Sequence, residues 1–333
     1  MRSNHWLSIH IYETEVCEVM LMKLIKPLIK DVLDLGLANH YFFIRYWENG
    51  AHIRLRFKGD FALLKNKTKP YISYKIMEYM NFKEFVYSND IIDFQSHQLK
   101  KIPDYVFQKF EFKAYEPEIE RYGGIERLSI SEKYFELSSK TVLSLIANEK
   151  RWNYSYAMGV AIQLHVSFAY SFGMNLKEAY TFFLHIANSR IPTHLLEKKN
   201  ANDCNLTINN ALTFEMFENS YLKQRSTLVP LVKQIWIGLN NNLNFEEIWM
   251  QDWVKYSKKI AKQLQLSFKK NQYLQHNDPS SYLKTNEAIF FSYIHMTNNR
   301  LGILNKDEGY LGYILKSAFG EIILDLVSNP IDR

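Results

Sequence analysis

The chain has 333 residues, enough to bury a large core in one or two domains. Only 12 Gly and 8 Pro exclude collagen-like and linker-rich architectures, while 47% hydrophobic and 15% aromatic residues exclude disorder. Lys plus Arg outnumber Asp plus Glu by 41 to 35, a net +6, which suits an acidic partner but lacks the clustered basicity of a dedicated nucleic-acid binder.

Residues 6–12 (WLSIHIY) alternate apolar with polar and predict a half-buried strand. Residues 17–37 space their apolar side chains at helical intervals, with Pro27 demanding a kink or an early-turn position. Residues 40–47 (HYFFIRYW) predict a second strand, Glu48-Asn49-Gly50 a turn, and residues 52–58 (HIRLRFK) a third strand. A helical zone over 60–87, interrupted near Pro70, and a strand over 105–115 follow. The order strand, helix, strand, strand, helix, strand is the split βαββαβ pattern of ferredoxin-like units. Behind it, helices are expected over 131–148, 154–174, 176–189, 213–239, 245–270, 279–299 and 307–328, with loops at 198–209 and 240–244. The fold class is therefore α+β: a sheet unit over 1–125 and a largely helical region over 126–333, together expected to form one compact domain.

Two cysteines, Cys17 and Cys204, cannot build a disulfide framework or a cysteine-based zinc site. The N-terminus lacks a signal pattern, and the most apolar stretch, 157–174, carries Gln163, His165 and several serines, so no membrane span and a cytoplasmic location are expected. No glycine-rich nucleotide loop, paired CxxC or HExxH occurs, and ten scattered histidines form no ligand pair, so neither a metal nor a cofactor is expected.

Three clusters stand out. Period 2 puts His52, Arg54 and Arg56 on one strand face and Ile53, Leu55 and Phe57 on the other, and Arg45 could reach the same sheet. Such a row is either a solvated outer face or an anion-binding row, because arginine can clamp a carboxylate bidentately. Residues 115–124 (YEPEIERYGG) combine four charges with a Tyr-Gly-Gly turn; Glu118 and Glu120 are the nearest countercharges in sequence. Near the C-terminus, His295 and Asn299 lie at i and i+4 above Ser292 on a helix, a pattern equally typical of a satisfied core histidine.

FFIRYWENGAHIRLRF, YEPEIERYGG and IHMTNNRLG together resemble the carboxy-terminal domain of class I lantibiotic dehydratases, which also occurs as a free-standing thiopeptide-type bacteriocin biosynthesis protein. The resemblance implies a lyase that removes glutamate from a glutamylated Ser or Thr of a leader-bearing precursor peptide, leaving dehydroalanine or dehydrobutyrine. It places Arg54, Arg56, Arg121 and His295 at catalytic positions, and Arg45, His52, Tyr122, Asn299 and Arg300 against the substrate. The chain has no room for the family's large glutamylating domain, which implies a separate partner that uses glutamyl-tRNA. Two alternatives stay open: a pyridine synthase joining two dehydroalanines by a formal [4+2] cycloaddition with loss of the leader, and a non-catalytic leader-binding scaffold. The oligomeric state also stays open, a homodimer being one option.

Overall fold

The computed structural model describes residues 4–12, 17–48, 50–93, 109–189, 204–243, 245–271 and 279–328. The chain divides into two compact units, one of Met1–Pro117 with Val142–Lys150, the other of Glu118–Thr141 with Arg151–Arg333. The fold is α+β, with a small antiparallel sheet at the front of the chain and helices after it.

In the first unit, strands β1 (Asn4–Tyr12), β2 (His40–Tyr46), β3 (His52–Asp60) and β4 (Lys109–Lys113) form one sheet in the order β2-β3-β1-β4, every neighbouring pair antiparallel. The expected start of the fourth strand, 105–108, lies outside the described residues. Alternation sorts the side chains by register. Leu7 pairs with Phe57, Ile9 with Leu55 and Ile11 with Ile53, and Ile9, Ile53, Leu55 and Phe57 are fully buried on this apolar face. On the opposite face Ser8 pairs with Arg56, His10 with Arg54 and Tyr12 with His52.

The first helical stretch runs through α1 (Cys17–Met20), a π turn (Leu21–Ile25) and α2 (Lys26–Asp34); the second runs through α3 (Phe61–Leu63), a π turn (Leu64–Thr68) and α4 (Lys69–Asp93). Pro70 does not interrupt the second stretch as expected. Like Pro27, it is the second residue after a π turn, and the wider i→i+5 loop accommodates a residue that lacks an N–H and whose ring crowds the preceding turn. Gly36, at φ 65°, ends the first stretch, donating to the Leu33 carbonyl while Leu37 donates to that of Val32. Thr68 donates to the Leu37 carbonyl at 2.6 Å, tying the two stretches together.

The second unit contains most of α5 (Ile125–Asn148), then α6 (Tyr154–Ser171), α7 (Leu176–Ser189), α8 (Cys204–Asn240), α9 (Ile248–Asn271), α10 (Pro279–Leu301) and α11 (Asn305–Ser328). Residues 204–209, expected in a loop, are helical; 198–203 lie outside the described residues. Helix α6 is apolar around most of its circumference and is accordingly buried along most of its length. Helices α7 and α11 pack closely at Gly312, where a Cβ would come within 2.7 Å of the Ala187 backbone nitrogen. Gly312→Ala should therefore destabilise the protein by about 1–3 kcal/mol, as overpacking does. Urea unfolding checks this; an unchanged midpoint would show that the two helices separate freely.

Candidate functional site

The polar face of the sheet carries cations that lie against aromatic rings. The Arg54 guanidinium carbon sits 3.3 Å from the centre of the Tyr46 ring, and that of Arg56 lies 4.6 Å from Tyr115 and 5.1 Å from Phe42. Lys58 faces Trp6 at 5.1 Å and Lys109 faces Tyr12 at 5.4 Å. Arg54 Nε donates to His52 Nε2 at 3.1 Å, so the ring proton belongs on Nδ1, which donates to the Gly50 carbonyl at 2.8 Å. His52 is thus held neutral: burial lowers its pKa, the Gly50 contact works against that, and Arg54 lowers it further. His10 stacks on His52 with ring centres 5.1 Å apart. Burial first, then Arg54, His52, Lys113 and Arg56, push the His10 pKa down to about 4. Glu111 is a countercharge on this face. It accepts from Tyr12 at 2.6 Å and pairs with Lys113 at 2.7 Å, and the Lys113 and then the Tyr12 hydrogen bonds hold its carboxyl at about 2.

Arg45 does not join this row. It pairs in register with Ile53, on the apolar face, where it is 4% exposed and bonds Glu18 at 2.7 Å. Its place in sequence between Ile44 and Tyr46 already alternated it away from Arg54, and the anion reading has to do without it.

In the second unit, His295 projects from α10 and its Nδ1 meets Glu308 Oε1 of α11 at 2.7 Å. Glu308 is 2% exposed whereas the His295 side chain keeps 23%, so the carboxylate holds the ring through Nδ1 from the buried side. The turn between the two helices is set by Gly302 at φ 84° and by Tyr154, which donates to Asp307 and accepts from the Leu304 N–H at 3.2 Å. Behind it, His165 of α6 donates from Nε2 to Asn298 Oδ1 at 2.7 Å; burial lowers its pKa to about 4 against the smaller opposing pull of Asn298 and Glu308. Sequence reasoning missed Glu308, because an acidic residue in a first helical turn reads as a partner of the helix dipole.

Tyr122 and Arg300 sit in the packing. The Tyr122 hydroxyl is spent on Ser292 at 2.6 Å, in line with Tyr293–Ser131 at 2.7 Å and Tyr134–Thr297 at 3.0 Å, a row of hydroxyl bonds joining α10 to the turn before α5 and to α5 itself. Arg300 is fully buried, with Nε on Ser139 and Nη1 on the Met296 carbonyl. Both side chains are thereby tied into the packing of the second unit. Asn299 is half-buried, one turn beyond His295. Arg121 is exposed and paired with Glu118 at 3.0 Å, on a turn closed by Gly123 and Gly124 with positive φ. Arg54, Arg56 and His52 thus belong to the first unit, and Arg121, His295, Tyr122, Asn299 and Arg300 to the second.

Among the described residues no cluster of three His, Cys, Asp or Glu could hold a metal ion, and no helix is long and apolar enough to cross a membrane. Residues 6–319 match the family model described as the lantibiotic biosynthesis dehydratase C-terminal region, and the chain belongs to that family. It is 25% identical over 319 residues to the nisin biosynthesis protein NisB of Lactococcus lactis subsp. lactis, covering 95% of this chain but only 25% of NisB, so it spans about a quarter of that relative's length. Among solved structures, the pyridine synthase TbtD from thiomuracin biosynthesis matches with TM-score 0.69 at 14% identity, covering 96% of this chain and 98% of TbtD. The tRNA-dependent lantibiotic dehydratase MibB from Microbispora sp. 107891 matches with TM-score 0.58 at 16% identity, over 96% of this chain and 28% of MibB. At such identities these structural likenesses show the fold.

The depressed histidines predict an acid transition. A His that is neutral and buried when folded stabilises the protein above its unfolded pKa of about 6.5, and that stability is lost as pH falls towards the folded value. For His165, with a folded pKa of about 4, the loss between pH 6.5 and 4 should be on the order of 3 kcal/mol. Unfolding midpoints across that window should fall more steeply for the wild type than for His165→Asn, and equal slopes would contradict the assignment.

Proposed function

We propose that the chain is a lyase of lantibiotic or thiopeptide biosynthesis that eliminates glutamate from a glutamylated Ser or Thr in a leader-bearing precursor peptide. A separate protein charges the peptide from glutamyl-tRNA. The reaction removes the Cα proton, moves that electron pair into a Cα=Cβ bond and breaks the Cβ–O bond, so that glutamate departs as a carboxylate. It needs donors for the enolate oxygen and for the leaving carboxylate, and a group to manage a proton.

The observation that carries this reading is the cationic sheet face. Arg54 and Arg56 lie against aromatic rings, and a guanidinium can clamp an incoming carboxylate through its planar fork. Arg121 supplies a further cation. His295, oriented by Glu308, hands a proton to the departing glutamate from Nε2. Arg45, Tyr122 and Arg300 act in this reading as supports, while His52 and Asn299 remain substrate contacts. The strand order β2-β3-β1-β4 supports assigning the first unit to the split βαββαβ type.

Likeness of fold to a pyridine synthase supports a second reading, cycloaddition of two dehydroalanines. In that reading no glutamate is released.

Elimination rates on a pre-glutamylated peptide test the proposal. His295→Ala should slow the reaction by roughly 10²–10⁴-fold, the usual cost of lost acid–base catalysis, while peptide affinity changes little. Glu308→Gln keeps the shape of the side chain and removes its charge, and should fall between the two. Arg54→Lys should rescue poorly compared with the wild type, because an ammonium cannot reproduce the planar fork. A His295→Ala protein that eliminates at nearly the wild-type rate would sink the catalytic assignment, and normal processing by the Arg54 variant as well would favour a scaffold.

A further inference from the structure

Two side chains at the centre of the cationic sheet face have polar atoms with nothing to bond. Ser8 is 2% exposed and His10 is 7% exposed. Ser8 Oγ and His10 Nδ1 are buried and have no hydrogen-bond partner among the described residues. Burying a hydroxyl and a ring nitrogen unpaired is costly, and unpaired groups of this kind are rare enough to call for an occupant. The register says what surrounds them. Ser8 lies opposite Arg56 on β3 and Lys113 on β4, and His10 lies opposite Arg54 on β3 and Glu111 on β4. Glu111 is already committed to Tyr12 and Lys113. Two hydrogen-bonding groups thus sit beside two guanidiniums on β3, on the side of the sheet where charge is concentrated.

We propose that Ser8 and His10, together with Arg54 and Arg56, form a carboxylate subsite that takes a carboxylate of the glutamyl group. The proposal rests on the elimination reading and adds two binding residues to it. Ser8 donates its hydroxyl proton. His10 presents Nδ1–H as a neutral imidazole, since burial first and then the surrounding cations disfavour a charged ring. The arginines supply the charge, while Ser8 and His10 supply fixed directions for the oxygens, so the subsite prefers a planar carboxylate to a tetrahedral anion.

The test uses the full chain and isothermal titration with free L-glutamate, with inorganic phosphate as a second arm. The variants are Ser8→Ala, which removes one atom and leaves the packing nearly intact, His10→Phe, which keeps a ring without the nitrogens, and His10→Asn, which places an amide near the Nδ1 position. Glutamate affinity should drop at least 10-fold in Ser8→Ala and in His10→Phe and recover in His10→Asn, with unfolding midpoints confirming that each variant folds. Rescue by Asn separates binding from a merely structural role. Unchanged affinity in Ser8→Ala and His10→Phe, equal affinity for phosphate, or no glutamate binding by the wild type would each overturn the subsite. The two readings fail separately: loss of binding in the variants with no elimination by the wild type would keep the subsite and remove the lyase, whereas elimination with unaltered KM in both variants would keep the lyase and remove the subsite.

Discussion

The register of β1 against β3 is the constraint on which the rest depends. With Ile9 opposite Leu55 and His10 opposite Arg54, the aliphatic residues of the two central strands face the core, while Arg54, Arg56 and Lys58 face away from it. A slip of one residue would drive Arg54 and Arg56 into the apolar layer and bring Leu55 and Phe57 out, a cost no side-chain adjustment could recover. Because the cations share their face with Tyr46, Phe42, Tyr115 and Trp6, they lie on π surfaces. Arg54 and Arg56 are thus placed by ring faces, whereas Arg45 is held by the carboxylate of Glu18.

The helical unit applies the same economy to a single histidine. The α5 and α10 surfaces are joined by hydroxyl pairs and by the stacked rings of Tyr134 and Tyr293, 4.1 Å apart, so the direction of α10 is fixed by bonds that are satisfied at both ends. From that fixed helix His295 reaches Glu308. A buried carboxylate is tolerated where it is paired, and here the partner is the one histidine of the third sequence cluster. The pairing turns a residue that reads in sequence as ordinary core into a ring anchored at Nδ1 by a buried carboxylate.

Period-2 patterning made most of the sheet legible, since HIRLRF announces both its faces, and the helices from 154 onward were legible because their apolar spacing is long and regular. What escaped depended on pairing across the chain. Glu308 lies thirteen residues from His295 and carries no local mark of its partner. Tyr122 and Arg300 are polar residues within distinctive motifs, and their burial had no local mark because their partners, Ser292 and Ser139, are far away in sequence. Pro70 looked like a helix breaker because the π turn ahead of it is not encoded in any apolar spacing. Ser8 and His10 were visible only as the polar half of a strand; that their atoms lack partners is a property of the assembled sheet.

The central claim is that this cationic face and the His295–Glu308 pair serve glutamate elimination, and the most direct measurement uses a pre-glutamylated precursor peptide deuterated at Cα of the modified Ser. Incubated with the purified protein alone, it should release one free glutamate for each dehydroalanine formed, with a primary isotope effect if proton removal limits the rate and with the yield lost in His295→Ala. Retention of glutamate on the peptide, or consumption of paired dehydroalanines into a ring with loss of the leader, would contradict the account.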